Sequence, residues 1–363
     1  MKNSFGNNLS VTLFGESHGA AIGAVIDGIA AGIPVSDEYI RARLDERRPS
    51  GKISTARREG DEYEIVSGVY RGYTTGTPIT IIIRNTNTKS EDYNALRYTP
   101  RPSHADYTAE VKYGGYQDPR GGGHFSGRVT AGLVAAGAII RAALEAKGIY
   151  IGTHISELGG VSDRGFSDIM ADCKALTGEA LPVLDEGRGS AMKAKIEEAA
   201  AEGDSVGGVL ETAIVGCPAG CGEPWFDTVE GVLAHAIFSI PGIKGVEFGL
   251  GFGFANAKGS EANDPFIIEG GEVRTATNNN GGVNGGITNG MPIIFRSAVK
   301  PTPSIFKAQK TVNLESMTEC DMEISGRHDP AIIHRARAVV DAVAAIAMAD
   351  LLVTRYGTEW LAK

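Results

Sequence analysis

The sequence predicts an α+β fold in which sheets pack on buried helices within one domain, residues 1–363. Three observations carry this expectation. Two long Ala-rich stretches, "FSGRVTAGLVAAGAIIRAALEAKG" and "GRHDPAIIHRARAVVDAVAAIAMADLLVTRYG", are apolar on most faces, as helices inside a protein are. β-rich runs precede and separate them. No low-complexity linker divides the 363 residues, a length that suffices for one large core.

The elements follow in chain order. "VTLFGESHG" reads as a short strand ending in a Gly-flanked turn, and "AAIGAVIDGIAAGIPV" as a buried segment closed by Gly32 and Pro34. "SDEYIRARLDERRPSG" predicts a helix: Ser36 caps it, Asp37 and Glu38 complement its positive end, and Pro49 and Gly51 stop it. "DEYEIVSGVYRGYTTGTPITIIIRNTNT" holds two β-rich runs divided by a turn, a hairpin signal. The first Ala-rich helix comes next. A polar amphipathic stretch at 167–202 predicts helix, "GGVLETAIVGCPAG" a strand, "TVEGVLAHAIFSIPG" a helix and "IKGVEFGLGFGFANAKG" a strand. "GTPITIIIRN" echoes "GMPIIFRS", and a buried helix lies downstream of each. This pseudo-repeat suggests two β-then-helix halves around a common helical core.

Composition narrows the class. An apolar content of 42% and a charged content of 22% are those of a globular protein. A net charge of −9 argues against a general nucleic-acid or anionic-membrane binder. "VTAGLVAAGAII" is too short to span a bilayer, and the N-terminus has no signal-type apolar core. Cys173, Cys217, Cys221 and Cys320 lack CxxC spacing and zinc-like partners, which suits free thiols in a reducing cytoplasm. The positive charge is uneven: Arg41 to Arg58 carries seven basic and two acidic residues. Such a cluster suits a small anionic ligand or a solvated helix face.

Four segments carry candidate chemistry: "GESHG", "RPSHADYTAEVKYGGYQDPRGGGHFSGR", "TNNNGGVNGGITNG" and "GRHDP". His18, His104 and His328 each sit in a turn beside small residues or a carboxylate, where imidazole can exchange protons near neutral pH. Asp329, before Pro330, suits either an N-cap or a catalytic carboxylate. Gly121–Gly123 let backbone approach a ligand, and the helix that follows offers free N–H groups to phosphate. Neither a Walker loop nor a G-x-G-x-x-G after a strand is present, so a Rossmann nicotinamide site is not indicated. "KPTPSI" places Lys300, Thr302 and Ser304 at alternate positions of a Pro-stiffened segment that can edge a phosphate or flavin site. These residues point to an enzyme acting on an anionic, phosphorylated small molecule. They do not identify the reaction.

Taken together, the segments "FGESHG", "RRPSG", "TTGTPI", "RPSHADYTAEVKYG", "DPRGGGHFSGR", "SIPGIKGVEFGLGF", "NGGITNGMPI", "KPTPSI" and "GRHDP" resemble, in order, those of the chorismate synthase family. The resemblance covers nearly the whole chain. It implies a β-α-β sandwich, with antiparallel sheets flanking a central layer of helices, assembled as a homotetramer. It also implies an anti 1,4-elimination of phosphate from 5-enolpyruvylshikimate 3-phosphate, with reduced FMN required and no net redox change. NADP is an associated nucleotide. The chain has no large insertion of the self-reducing kind, so an external flavin reductase system is the expected partner; no nucleic acid, membrane or metal is.

The resemblance also assigns roles. His18 corresponds to a proton donor to the departing phosphate, His104 to a histidine tuning the reduced flavin, and Asp329 to the carboxylate that passes the C6 proton. Arg48 corresponds to a substrate clamp, helped by Arg47 or Arg41, with Arg128 and Arg327 as further anion ligands. Flavin contacts fall on His124, Phe125, Ser126, Gly285, Lys300, Thr302, Ser304 and Arg327. His124-Phe125 departs from the Arg-Ser or Ala-Ser of many members. A flavin oxidoreductase or phosphate lyase on the same scaffold, and a non-catalytic Gly-rich binding protein, are the alternatives.

Overall fold

The computed structural model describes residues 2–49, 53–54, 60–86, 98–324 and 329–363. Two five-stranded antiparallel sheets form its outer layers. The first contains β1 (Ser4–Phe5), β2 (Ser10–Gly15), β3 (Ala21–Asp27), β4 (Tyr63–Ser67) and β5 (Ile79–Arg84), in the order β1-β2-β3-β5-β4. The second contains β6 (Tyr150–Leu158), β7 (Val161–Ser162), β8 (Gly208–Val215), β9 (Ile243–Phe248) and β10 (Ile293–Val299), in the order β9-β10-β8-β6-β7. The two echo segments form β5 and β10, each one strand in from an edge of its sheet.

The helices are α1 (Asp37–Arg47), α2 (Asp106–Tyr113), α3 (Thr130–Ala146), α4 (Ile169–Ala175), α5 (Glu186–Ala201), α6 (Val229–Phe238) and α7 (Ile333–Tyr356). α3 packs on β2, β3 and β5, α7 packs on β6 and β8, and α3 and α7 pack on each other. The layers therefore run sheet, helices, sheet, as expected. Small residues permit the close α3–α7 approach: a Cβ on Gly137 would stand 2.4 Å from Ala342 Cβ. Leu133, Val134, Ile139, Ile140 and Leu144 of α3 are buried, each contributing about 1.5–3 kcal/mol of apolar burial. Arg141 is buried among them and is matched by Asp341 (3.0 Å) and the Ile151 carbonyl (2.6 Å), which join α3, α7 and β6.

Several expectations change. Residues 127–146 are long and apolar enough, by length and composition, to cross a membrane, so the stretch is not too short; it is nonetheless mostly buried inside the protein as a core helix. The amphipathic stretch at 167–202 splits into α4 and α5, because "LTGEALPVLD" between them carries Gly178 and Pro182. α7 begins at Ile333, so Asp329 lies ahead of the helix and does not cap it. β6 and the hairpins Phe266–Glu269/Glu272–Thr275 and Gln309–Asn313/Thr318–Met322 were not expected from the sequence.

Candidate active site

β2 ends at Gly15, and the chain turns through residues 16–19, where the Gly19 N–H donates to the Glu16 carbonyl (3.1 Å). The Ser17 N–H donates to the Gly123 carbonyl (3.0 Å), which ties this turn to the glycine loop. Gly121 and Gly122 have φ of 61° and 82°, a left-handed conformation that glycine adopts without penalty. A Cβ on Gly121 would stand 2.2 Å from His18 Cε1, and one on Gly122 would stand 3.3 Å from His104 Cε1. Two histidines far apart in sequence thus flank consecutive glycines. His18 is buried there.

His104 is oriented by a carboxylate that the sequence reading missed. Its Nδ1 lies 2.6 Å from Asp106 Oδ1, so that nitrogen carries the hydrogen. Arg101 Nη2, 3.0 Å from the same nitrogen, donates to Asp106 Oδ1 (2.9 Å). Burial pushes the Asp106 carboxyl up, but hydrogen bonds from Arg101 and His104 outweigh it and hold the group well below the usual carboxylate range. The pair fixes the tautomer and leaves Nε2 as the acceptor, on the side of Gly122. The signal was the two-residue spacing in "HAD".

Arginines gather beside the histidines. Arg47 at the end of α1 donates to Asp61 Oδ2 (2.7 Å), Arg128 pairs with Asp61 Oδ1, and Arg48 Nε lies 3.7 Å from Oδ2. Asp61 is 2% exposed. Burial raises its carboxyl, but the charges of Arg47 and Arg128 prevail and keep it ionised, below its ordinary range. Arg48 also pairs with Asp45 and donates to the Gly60 carbonyl. Arg47, Arg48 and Arg128 thus converge on Asp61, with Asp45 beside Arg48. Arg41 lies outside this cluster, paired with Asp37 (2.8 Å) and Glu62 (3.0 Å) on the exposed face of α1. Asp61 escaped the sequence reading because "RREGDE" looks like an ordinary charged run.

Asp329 joins the same region through an intermediary. Its Oδ2 accepts from Arg335 (2.6 Å), whose Nε donates to the Arg47 carbonyl (2.9 Å). Asn85, also missed, bridges the arginine cluster and the His18 turn. Its position after "IIIR" gave no sign of this. Arg327 and His328 lie outside the described residues.

The arrangement combines two imidazoles, a carboxylate and a cluster of guanidiniums beside a glycine loop. It suits proton transfer on an anionic substrate. The family model described as "Chorismate synthase" matches residues 9–353.

The chain belongs to the chorismate synthase family.

It is 48% identical over 360 residues to the chorismate synthase of Thermococcus gammatolerans, covering 98% of each chain. It is 49% identical over 350 residues to that of Pyrococcus abyssi, covering 96% of this chain and 97% of the relative. A crystal structure titled as that of chorismate synthase superposes with a TM-score of 0.76 at 31% identity, over 97% of this chain and 93% of the other. Like its family, the chain is an enzyme of the lyase class.

The positions that chorismate synthase resemblance assigned to flavin divide in two. Lys300 donates to the Ser103 carbonyl, and Arg101 Nη1 lies 3.5 Å from Ser304 Oγ, so "KPTPS" runs beside His104. Burial, with Lys244 nearby, lowers the affinity of Lys300 for its proton. Thr302 Oγ1 is buried without a hydrogen-bond partner among the described residues. Phe125 packs edge-on against Tyr113, and Ser126 accepts from the Arg128 N–H (3.3 Å). His124 Nδ1 lies 2.7 Å from the Gly15 carbonyl, to which it donates. His124 and Phe125 line a cavity of about 390 Å³ with Phe14, Glu16, Tyr113 and Asp118. Gly285 lies apart, in the hairpin Val283–Asn284/Ile287–Thr288 at the Ile293 end of β10. Lys300 follows the other end, roughly 20 Å away at strand rise.

Proposed function

We propose that the chain acts on 5-enolpyruvylshikimate 3-phosphate, removing phosphate by anti 1,4-elimination to give chorismate, the last step of the shikimate pathway, with reduced FMN as cofactor. The observation that carries the reading is the convergence of His18 and His104 on Gly121–Gly122, next to the arginine cluster around Asp61. The residues assigned to the cofactor suit a flavin: Thr302 offers a buried hydroxyl with no hydrogen-bond partner among the described residues, and Gly122 leaves the Cε1–Nε2 edge of His104 clear.

Arg48, Arg47 and Arg128 hold the substrate's anionic groups through charge-assisted hydrogen bonds, with Arg327 assigned to the same task. His18 gives a proton to the departing phosphate. Asp329, held by Arg335, takes up the C6 proton. His104, with Nδ1–H fixed on Asp106, presents Nε2 to hold or release a proton at the flavin edge. His124, Phe125, Ser126, Lys300, Thr302 and Ser304 hold the cofactor. Held by these residues, reduced FMN would supply electron density to the substrate reversibly, so that phosphate and the C6 proton could leave with no net redox change.

One hydrophobic core runs from Leu9 to Leu361, which supports reading residues 1–363 as a single domain. The hairpin residues Phe266, Ile268 and Val273 are exposed, a surface suited to self-association as a tetramer, and Gly285 would then serve a site through assembly. Four free cysteines suit a reducing cytoplasm, where an external reductase system supplies the reduced flavin.

The test is an anaerobic assay of the purified chain with substrate and reduced FMN. Chorismate and phosphate should form in equal amounts without consuming reductant, and neither should form with oxidised FMN alone. Stoichiometric loss of reductant would replace the elimination with a flavin oxidoreductase.

A further inference from the structure

We infer that Asn85 is a positioning residue that couples the arginine cluster to the turn carrying His18, so that proton delivery by His18 depends on this link. The inference rests on the proposed role of His18 as proton donor. Asn85 follows β5. Its Oδ1 accepts from Arg128 Nε (3.2 Å), and its Nδ2 donates to the carbonyls of both Glu16 and Gly19 (2.9 Å each). Arginine can only donate and carbonyls can only accept, so the amide has one workable orientation and both of its N–H donors are used. The Asn85 backbone N–H donates to the Ala20 carbonyl (3.2 Å) as well.

Other bonds also hold the turn. His124 donates to the Gly15 carbonyl (2.7 Å), and the Ser17 N–H reaches the Gly123 carbonyl (3.0 Å). Asn85 also grips an arginine of the anion cluster, Arg128, which is paired in turn with Asp61. An anion that draws Arg128 toward it therefore acts on the His18 turn through the Asn85 side chain.

Aspartate at this position separates the two halves of the link. It keeps an acceptor for Arg128 but has no N–H for the two carbonyls, and it sets a carboxylate against their oxygens. Asn85→Asp should lower kcat about 100-fold, the scale of an ångström misplacement, while KM changes less than about twofold. In a His18→Ala background the same substitution should cost less than about twofold. Hydrogen exchange across residues 16–19 should quicken at least about tenfold in Asn85→Asp, with α3 unaffected.

A kcat within about twofold of wild type, an equal loss in both backgrounds, a rise confined to KM, or unchanged exchange overturns the inference. If Asn85→Asp does not fold, Asn85→Ser, which keeps one donor, carries the same comparisons with a smaller loss. A wild-type enzyme inactive with reduced FMN strikes the functional reading instead, and the exchange measurement still decides the link. A wild type that turns over and is impaired by His18→Ala but not by Asn85→Asp strikes this inference alone.

Discussion

Gly121 lies against the His18 imidazole so closely that a Cβ at this position would stand 2.2 Å from Cε1 and 2.3 Å from Nδ1. The first glycine of the loop therefore sets where the His18 ring sits. Gly121→Ala must push the ring aside or move the loop, and the φ of 61° adds strain for alanine of roughly 1 kcal/mol. We expect turnover to fall about 100-fold with a small drop in Tm, measured by steady-state kinetics and thermal melting. Turnover within twofold of wild type would mean that the position of His18 is not critical.

Asp61 pairs with Arg47 and Arg128 at a fully buried position. Asp61→Asn keeps the shape but removes the compensating charge, and breaking a buried pair costs about 3–5 kcal/mol. With that charge gone, Arg47 and Arg128 should attract inorganic phosphate more strongly, and ligand at 100 times its Kd restores about 2.7 kcal/mol. Phosphate should accordingly raise the Tm of Asp61→Asn more than that of wild type. Equal Tm gains in the two proteins would show that Asp61 does not hold an anion site in check.

Much of this was legible in the sequence, and what was not has physical reasons. The Ala-rich helices, the cap at Ser36 and the strand before "GESHG" are local patterns, and each appears where expected. The gathering of His18 and His104 followed from the resemblance rather than from spacing, since nothing local says that two distant turns share a glycine loop. Asp61, Asn85 and Asp106 act through partners that only the fold supplies. Pattern reasoning also placed Asp329 at a helix start, whereas its ion pair with Arg335 belongs to tertiary structure. β6 was missed because "YIGTHISEL" is broken by Gly152 and buries the polar His154, which is satisfied by carboxylates on both sides.

That histidine predicts a pH dependence. His154 lies 3.0 Å from both Asp163 and Glu211. Burial alone would lower its pKa, but the two carboxylates prevail and raise it above 6.5. The native state then binds the proton more tightly than the unfolded chain. Its stabilisation is fully present below 6.5 and is lost as pH rises through the raised native value. His334 has the opposite sign: burial, then the Arg335 charge, lowers it from 6.5 to about 3, so its stabilisation is lost as pH falls from 6.5 toward 3. Melting from pH 3 to 10 should show the alkaline decline flattened in His154→Gln and the acid decline flattened in His334→Gln. Parallel profiles for wild type and both variants would contradict this assignment.

Two arginines, one on α1 and one at its C-cap, should behave differently. Arg41 is paired with Asp37 and Glu62 at the exposed face of α1, where such pairs contribute about 0–1 kcal/mol. Arg48, just past the end of the same helix, turns toward Asp61 and the Gly60 carbonyl. If Arg48 clamps the anionic substrate as proposed, Arg48→Ala should raise KM at least about tenfold and weaken the dependence of KM on salt, since that cation is lost. Arg41→Ala should leave KM within about twofold and its salt dependence unchanged. Steady-state kinetics from 20 mM to about 500 mM salt distinguishes the two, because screening acts within a Debye length of roughly 10 Å near 0.1 M. If both substitutions raised KM alike, the basic stretch would attract substrate as a diffuse field, and the ordered cluster around Asp61 would lose its part in binding.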